Sequence, residues 1–223
     1  MVVAAAVPAA EQVVVLVAGA TGLVGREVIA ALLADRRTRT VHTLGRKAPG
    51  LQHPRLVAHA VDFTRLPALP PVDEVYIALG TTIKTAGSQQ AFRAIDLDAV
   101  VAMARAARAA GATRLGVVSA MGADAGSGVF YNRTKGEMEQ AVATLGFETL
   151  VLARPSLLSG DRAALNQPTR PGEKIGLRLS QWIRPLIPAN YRPIAAGRVA
   201  ASLVAAVRDG PPGRRVLLSG DMQ

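Results

Sequence analysis

Three evenly spaced glycines stand where an apolar stretch changes into a helix-like one. Residues 13–25 read VVVLVAGATGLVG, with glycines at positions 19, 22 and 25. The residues before them are mostly β-branched, as in a strand buried on both faces, whereas Val24, Val28 and Leu32 recur on one helical face. A strand that turns through glycine into a helix directs backbone N–H groups and the helix dipole at one point, which suits a phosphate. The segment predicts a nucleotide-binding turn, with an ordinary strand–helix corner as the alternative.

Apolar, strand-like stretches alternate with helix-like ones along most of the chain. The predicted strands are Val13–Ala18, Thr40–Leu44, Leu56–Val61, Glu74–Leu79, Leu115–Ser119, Thr149–Ala153 and Arg215–Ser219. The predicted helices are Leu23–Ala34, Ala91–Ala110, Tyr131–Thr144 and Ala195–Val207. This alternation predicts an α/β fold with a single doubly wound parallel sheet of the Rossmann type and helices on both faces. The expected strand order is 3-2-1-4-5-6-7, with the ligand at the carboxyl ends of the strands where the order reverses.

The end of the second predicted strand carries two cations. In NAD-specific proteins of this fold an acidic residue stands about 20 positions past the glycines and accepts hydrogen bonds from the adenosine ribose. Here the sequence is TLGRKAPG, so Arg46 and Lys47 occupy that place. Two cations can pair with a 2′-phosphate through charge-assisted hydrogen bonds. NADP(H) is therefore the predicted cofactor, although a solvated basic loop has the same composition.

Other residues at strand ends complete the predicted cofactor site. The third strand ends in AVDF, which places Asp62 and Phe63 within reach of the adenine. The fourth strand ends in IALGTT, which should pass the middle of the cofactor. From these four strands the predicted cofactor-binding residues are Gly19, Thr21, Gly22, Leu23, Val24, Gly25, Arg46, Lys47, Asp62, Phe63, Leu79, Gly80, Thr81 and Thr82.

The length of the chain and a break in its pattern suggest the domain organisation. A chain of 223 residues is long enough for one large α/β domain and too short for two comfortable ones. We expect a flexible tail over residues 1–11 and a single NAD(P)-binding domain over residues 12–223. Residues 158–194 are rich in proline and irregular apart from a short amphipathic stretch at Leu177–Ile187. An irregular segment of this length predicts a cover on the substrate side.

Composition limits the other function classes. Only 4% of the residues are aromatic, which offers few surfaces for stacking bases, so we expect no nucleic-acid partner. The chain has no cysteine, and His42, His53 and His59 lack the spacing of metal ligands, so we expect neither thiol chemistry nor a metal. The net charge of +10 fits either a solvated arginine-rich surface or an electrostatic funnel for an anionic ligand.

Location and assembly are less constrained. The N-terminal apolar residues are not preceded by Lys or Arg, and no later apolar run reaches the roughly 18 residues of a membrane span. We therefore expect no secretory signal, no integral membrane segment and a cytoplasmic location. Whether the chain forms a homodimer is left open.

A tyrosine and a lysine stand four residues apart in the segment YNRTKGEMEQ. At this spacing Tyr131 and Lys135 share one face of a helix, so both can point into one cleft. A neighbouring ammonium stabilises a phenolate, which allows the phenol to exchange a proton at neutral pH, and it can also reach the cofactor ribose. The alternative is a surface lysine above a packed tyrosine. The position of the pair after the fifth strand favours a catalytic role.

The combined motifs resemble those of atypical short-chain dehydrogenases/reductases. More narrowly, LGTTIKTAGSQQAFRAIDLDAV, VVSAMGADAGSGVFYNRTKGEMEQ and LARPSLLSGDRAALNQPTRPGE resemble the Tat-interacting-protein-type oxidoreductases and their bacterial relatives. The resemblance implies a serine that orients the substrate carbonyl, a tyrosine that transfers the proton, a lysine that tunes the tyrosine, and NADP(H) as hydride carrier. It assigns the tyrosine and lysine roles to Tyr131 and Lys135, and it places the nicotinamide against Pro155, Ser156 and Leu158.

The serine position departs from the family pattern. Aligned by its glycine, VVSAMG places Ser119 on the first of the family's paired serines and Ala120 where the catalytic hydroxyl is expected. Ser119 is the candidate third catalytic residue, and Ser127 or a threonine of the GTT stretch are alternatives. The leading hypothesis is an NADP(H)-dependent oxidoreductase acting on a small carbonyl or alcohol. An NADPH-binding sensor with little turnover and, less favoured, a nucleotide-sugar epimerase or dehydratase are the alternatives.

Overall fold

A seven-stranded parallel sheet forms the centre of the structure, a computed structural model that describes residues 12–159 and 188–223. Its strands are β1 (Val13–Ala18), β2 (Thr38–Gly45), β3 (Leu56–Ala60), β4 (Glu74–Ile77), β5 (Arg114–Val118), β6 (Thr149–Arg154) and β9 (Gly213–Leu218). The order is β3-β2-β1-β4-β5-β6-β9, and every neighbouring pair is parallel. The predicted fold class and strand order are confirmed, with β9 as the seventh strand of the sheet.

Helices cover both faces of this sheet. The helices are α1 (Leu23–Ala34), α2 (Ile83–Ala86), α3 (Gln89–Arg93), α4 (Val100–Ala109), α5 (Phe130–Ala143) and α6 (Ala196–Asp209). One face packs against α1 and α6, and the other packs against α4 and α5. Strand β1 serves both cores, since Val15 and Val17 lie in the first and Leu16 and Ala18 in the second. The mostly β-branched strand β1 is therefore buried on both faces, as its sequence predicts.

The longest predicted helix is interrupted. The sequence predicts one helix over Ala91–Ala110, but α3 and α4 are separated by a π-helical turn at Ala94–Ala99. Such turns insert one residue into a helix and are frequent at functional sites. Two short strands that the periodicity did not predict, β7 (Leu158–Ser159) and β8 (Ile194–Ala195), pair with each other.

Some sequence predictions fall outside the described residues. These are the tail at 1–11 and, within the predicted cover, residues 160–187 with the amphipathic stretch at Leu177–Ile187. Across residues 12–159 and 188–223, no helix is both long and apolar enough to cross a membrane.

A buried ion network lies at the opposite end of the sheet from the strand carboxyl ends. Arg208 on α6 donates to Glu74 at the start of β4 and to Thr38 at the start of β2, over 3.0 and 2.9 Å. Its guanidinium also lies 2.7 Å from the Asp35 carboxylate, which follows α1. This network joins α1, α6 and two strands at the end where no site residue is predicted.

Candidate active site

The strand register brings the predicted site residues to one edge of the sheet. Ala18 lies opposite Leu44 of β2 and Ile77 of β4, and Val117 of β5 lies opposite Ile77 and Leu152. The segments that follow these strands therefore emerge side by side. They are the glycine turn, the Arg46–Lys47 loop, residues 79–82, the Ser119–Ala120 corner and the Pro155–Leu158 stretch.

The three glycines of the first turn differ in whether the packing of the chain requires a residue without a side chain. Gly19 has φ +89°, and a Cβ there would overlap the Ala78 carbonyl, while a Cβ on Gly25 would overlap the Gly19 carbonyl. Gly22 has φ −79° and ψ 167°, and its Cβ would lie 3.4 Å from the nearest atom, an ordinary contact. Packing within the chain therefore requires glycine at 19 and 25 but not at 22.

The start of α1 is suited to an anion. Gly22 is the N-cap residue, no side chain caps this helix, and no acidic residue stands in its first turn. The amides of Leu23 and Val24 begin the helix, and Thr21 beside them is exposed. A helix N-terminus with no capping side chain and an open Cα at Gly22 forms a cradle that a pyrophosphate fits.

The cations predicted to select the cofactor are exposed after β2. Arg46 and Lys47 form no ion pair with any residue in the described part of the chain. Asp62, which follows the adjacent strand β3, is also exposed, and its carboxylate accepts the Thr64 N–H over 2.9 Å. Hydrogen bonds from Thr64 lower the pKa of Asp62 below its usual value. Phe63 is half-buried against the core.

A cavity of about 240 Å³ opens between the ends of β5 and β6. Its lining residues are Val118, Ser119, Ala120, Met121, Tyr131, Pro155, Ser156 and Leu158. None of these side chains is charged. Tyr131 forms one wall of the cavity. Besides Tyr131, the sequence had predicted four of these lining residues as site residues: Ser119, Pro155, Ser156 and Leu158.

The ring of Tyr131 is held by Phe92. The two ring centroids are 5.4 Å apart at an interplanar angle of 42°, and Phe92 itself is fully buried on α3. Phe92 also contacts Phe130 edge-on. The phenol that lines the cavity therefore packs against a fully buried aromatic side chain.

Lys135 lies deeper, in an ion pair with Asp96 of the π-helical turn. Its Nζ is 2.7 Å from Asp96 Oδ1, and the two side chains are only 4% and 1% exposed. The other carboxylate oxygen of Asp96 accepts the Thr81 N–H over 2.9 Å. A Cβ added to Gly80 would lie 3.4 Å from Asp96 Oδ1 and 3.9 Å from Lys135 Nζ. The structure thus gathers Gly80, Thr81 and Lys135 around one carboxylate, with Leu79 and Thr82 on either side in the chain.

The hydroxyl of Ser119 is engaged away from the cavity. It donates to Glu139 Oε1 over 2.6 Å, and Glu139, on α5, is 1% exposed. Arg154 at the end of β6 donates to both oxygens of the same carboxylate, over 2.9 and 2.6 Å. These hydrogen bonds raise the pKa of the Arg154 guanidinium. A hydroxyl has a single proton to donate, so in this geometry Ser119 cannot also donate it to a substrate carbonyl.

Ser156 has a comparable internal role. Its hydroxyl donates to the Arg192 carbonyl and accepts from the Ser219 hydroxyl over 3.0 Å. The predicted alternative Ser127 accepts the Val129 N–H over 3.1 Å at the start of α5, and it does not line the cavity. Among the described lining residues, Tyr131 therefore contributes the hydroxyl that has no hydrogen-bond partner within residues 12–159 and 188–223.

Comparison with known proteins identifies the family. Residues 19–176 match the family described as NAD(P)H-binding. The chain is also 34% identical over 217 residues to "Protein fmp52, mitochondrial" of Aspergillus fumigatus, covering 89% of this chain and 91% of that protein. The protein of the same name from Emericella nidulans is 35% identical over 167 residues, which is 70% of each chain. This chain belongs to the NAD(P)H-binding family of atypical short-chain dehydrogenases/reductases.

Solved structures share the fold of this dehydrogenase/reductase. The Bordetella bronchiseptica enzyme WbmF in complex with NAD+ matches with a TM-score of 0.67 and 16% identity, over 95% of this chain and 76% of that one. A short-chain dehydrogenase family protein from Francisella tularensis matches with a TM-score of 0.68 and 13% identity, over 94% and 98% of the two chains. At such identities the likeness extends to the fold alone.

The cytoplasmic location expected from the sequence is wrong by the same comparison, because the curated relatives of this dehydrogenase/reductase are named as mitochondrial proteins. The sequence argument tested only for a secretory signal and for membrane spans. Neither test addresses import into an organelle.

Sequence reasoning missed the buried charges of this dehydrogenase/reductase site. Asp96 lies four residues from Phe92 and four from Val100, both buried, so it interrupts the apolar face of the predicted helix. Glu139 continues the four-residue spacing of Tyr131 and Lys135 on α5. An acidic residue on an otherwise buried helical face is the signal that could have identified both, since a buried charge needs a partner.

Proposed function

We propose that this protein is an NADP(H)-dependent oxidoreductase that interconverts a small, uncharged carbonyl compound and its alcohol, with Tyr131 as the proton donor and acceptor. The observation that carries the proposal is the cavity between β5 and β6, in which Tyr131 forms a wall beside uncharged residues. It opens at the same sheet edge as the glycine turn.

The residues present fit a dinucleotide cofactor. The packing of the chain does not require glycine at position 22, because a Cβ there would make only an ordinary contact. The glycine leaves space at the start of α1, where a pyrophosphate would be held. Arg46 and Lys47 are exposed after β2, where they can pair with a 2′-phosphate, which supports NADP(H) over NAD(H). Pro155 and Leu158 line the cavity where a nicotinamide would lie. When bound, the nicotinamide would supply or accept the hydride.

The protein's part in the reaction is proton transfer and positioning. In the reductive direction, the Tyr131 hydroxyl donates its proton to the carbonyl oxygen as the carbon receives a hydride, and the resulting phenolate is stabilised by the nearby Lys135 ammonium. Apolar lining residues such as Val118 and Met121 exclude water from the reacting carbon. In the oxidative direction, the Tyr131 phenolate removes the alcohol proton.

The experiment that tests this proposal is a turnover assay. Purified protein is mixed with NADPH and, in turn, with a panel of uncharged aldehydes, ketones and quinones, while the 340 nm absorbance of the cofactor is followed. Oxidation of NADPH that depends on one carbonyl class, with the matching alcohol as product, supports the proposal. Tight NADPH binding without turnover across the panel contradicts it.

A second candidate function is supported by the serine geometry. Ser119 and Ser156 donate their hydroxyl protons within the protein and Ala120 has no hydroxyl, so the described lining offers no second side-chain hydroxyl that is free to donate to a carbonyl oxygen. A protein that binds NADPH and turns over slowly, acting as a cofactor-dependent binding module, fits this arrangement. The same assay separates the two functions, because the module binds cofactor but does not consume it.

A further inference from the structure

A chain of hydrogen-bonded hydroxyl groups reaches the wall of the cavity. The Ser156 hydroxyl donates to the Arg192 carbonyl oxygen, and the Ser219 hydroxyl donates to Ser156 Oγ over 3.0 Å. A carbonyl oxygen can only accept, so the group at the end of the chain fixes the direction of both hydroxyl protons. The single proton of Ser156 is therefore directed at the main chain.

The contacts around these hydroxyls hold the chain in place. Ser219 is fully buried and begins the 3₁₀ turn that follows β9. The next residue, Gly220, donates its N–H to the Asn190 side chain over 2.9 Å, two positions before Arg192. The donor at one end of the hydroxyl chain and the carbonyl at the other thus belong to two segments that are bonded to each other.

Ser156 consequently presents an acceptor to the cavity. A serine oxygen has two lone pairs, and the Ser219 hydroxyl occupies one of them. Ser156 is half-buried and lines the cavity, so its second lone pair remains for a ligand. Ser119 has the same polarity, because its proton is donated to Glu139, but it is only 5% exposed. Ser156 is the more accessible acceptor of the two.

The cavity therefore combines an acceptor at Ser156 with the proton donor proposed at Tyr131. A plain ketone has one polar atom, the carbonyl oxygen, which accepts from Tyr131 and leaves Ser156 without a donor. A carbonyl compound that also carries a hydroxyl group supplies a partner for each. Because none of the lining side chains is charged, a neutral hydroxyl fits this place better than an ammonium group.

We propose that Ser156 is a specificity-determining residue that selects uncharged hydroxy ketones and hydroxy aldehydes over plain carbonyl compounds of the same size. This inference rests on the proposed function, whose substrate class it narrows. In the reductive direction the carbonyl carbon receives the hydride of NADPH and the carbonyl oxygen receives the Tyr131 proton, so the products are a diol and NADP+. The substrate hydroxyl donates a hydrogen bond to Ser156 Oγ, and none of its covalent bonds changes.

Matched pairs of ketones test the proposal. Hydroxyacetone and butanone differ by a hydroxyl in place of a methyl group, and so do 4-hydroxybutan-2-one and pentan-2-one, in which the hydroxyl lies one carbon farther from the carbonyl. With NADPH, we expect kcat/KM to be about 10-fold higher for the hydroxy ketone in at least one pair, the effect of one added hydrogen bond. Equal kcat/KM within both pairs overturns the proposal.

Removing the Ser156 oxygen should abolish the preference. In Ser156→Ala the ratio of kcat/KM within the favoured pair should fall by about 10-fold, to near one. If this variant does not fold, Ser156→Cys replaces it, since a thiol has a similar size but is a weak acceptor, and the ratio should fall in the same way. A preference that survives while NADPH affinity falls would assign the Ser156 oxygen to the cofactor and overturn the proposal.

Ser219→Ala is the matched control. It shortens the same hydroxyl chain but leaves the Ser156 proton on the Arg192 carbonyl and the Ser156 oxygen in the cavity wall, so the preference should be retained. An equal loss of preference in Ser219→Ala would show that any disturbance of this wall has the same effect, and would overturn a specific role for Ser156. Absence of NADPH oxidation with every carbonyl compound would instead refute the proposed function, which distinguishes the two failures.

Discussion

The Ser119 hydroxyl donates a 2.6 Å hydrogen bond to the buried carboxylate of Glu139, although Ser119 also lines the cavity beside Tyr131. The same carboxylate holds Arg154 through two hydrogen bonds. The serine thus stabilises the junction of β5, β6 and α5. Because Ser156 also donates internally and Ala120 has no hydroxyl, Tyr131 is the described lining residue whose hydroxyl is left to donate to a ligand.

Substitutions at these two positions should have opposite effects. We expect Ser119→Ala to lower the free energy of unfolding by about 1–3 kcal/mol, because it removes a hydrogen bond to a charged, buried group, and to change kcat little. Ala120→Ser should raise kcat by about 10-fold or more if its hydroxyl reaches the carbonyl oxygen. Urea unfolding and steady-state kinetics measure the two effects. Loss of activity in Ser119→Ala would show that this serine acts on the substrate.

Removing the Tyr131 hydroxyl should stop proton transfer without disturbing the fold. Tyr131→Phe retains the ring that packs against Phe92, so NADPH affinity and thermal stability should stay near wild type. The kcat should fall by about 10²- to 10⁴-fold, the usual contribution of a positioned acid–base group. Steady-state kinetics with the best carbonyl substrate provide the measurement. An undiminished rate would place the chemistry on another residue.

The cations after β2 should determine the cofactor preference. We expect the double variant Arg46→Ala/Lys47→Ala to bind NADPH about 10- to 100-fold more weakly, and NADH with unchanged affinity, since only NADPH carries the 2′-phosphate. Both residues are exposed, so stability should not change. Calorimetric titration with each cofactor decides the matter. Equal affinity of the wild type for NADPH and NADH would remove the basis of the prediction.

Substitutions at two glycines of the first turn should affect different properties, one of them cofactor binding and the other folding. Gly22→Ser has room for its Cβ and adds a capping hydroxyl to α1, so stability should be kept or rise by a few tenths of a kcal/mol. NADPH binding should be lost, because the side chain enters the space of the pyrophosphate. Gly25→Ala is the contrasting variant and should unfold, since its Cβ overlaps the Gly19 carbonyl. Normal NADPH binding by Gly22→Ser would make this turn a structural corner only.

Acid should weaken the ion network at the far end of the sheet. Burial alone would raise the pKa of Asp35, but hydrogen bonds from Arg37 and Arg208 outweigh it and hold that pKa well below its usual range. A depressed folded-state pKa contributes stability above the unfolded value of about 3.9, and this contribution is lost as the pH falls below it. Asp35→Asn should therefore be less stable than wild type at pH 7, with the difference shrinking toward pH 2.

Chemical unfolding at several pH values tests this prediction. Asp209→Asn serves as the control, because Asp209 pairs with the same Arg37 but is 59% exposed and contacts solvent freely. A stability gap for Asp35→Asn that does not change with pH would contradict the account.

Local patterns were sufficient to predict the sheet. Strand β1 and helix α1 carry their periodicity within a dozen residues each, so their bounds matched the prediction, and the strand order followed from the βα alternation. The sequence also indicated the family and placed the glycine turn, the Arg46–Lys47 loop and Tyr131 at one sheet edge. Parallel strands bring their carboxyl ends together whatever the details of packing, which is why these predictions needed no contacts.

Only the tertiary structure decided how the buried polar groups pair. Asp96 and Lys135 are 39 positions apart in the sequence, and Ser119 and Glu139 are 20 apart, so neither contact follows from local spacing. Ser119 and Glu139 meet where the end of β5 packs against α5, and Asp96 and Lys135 meet where two helical segments pack together. In both places a charged group is buried, and a buried charge is costly unless it is paired or hydrogen-bonded. The sequence by itself determined the fold and the sheet edge at which the predicted site residues lie. The packing of α3 and α5 decided which hydroxyl and which ammonium face that edge.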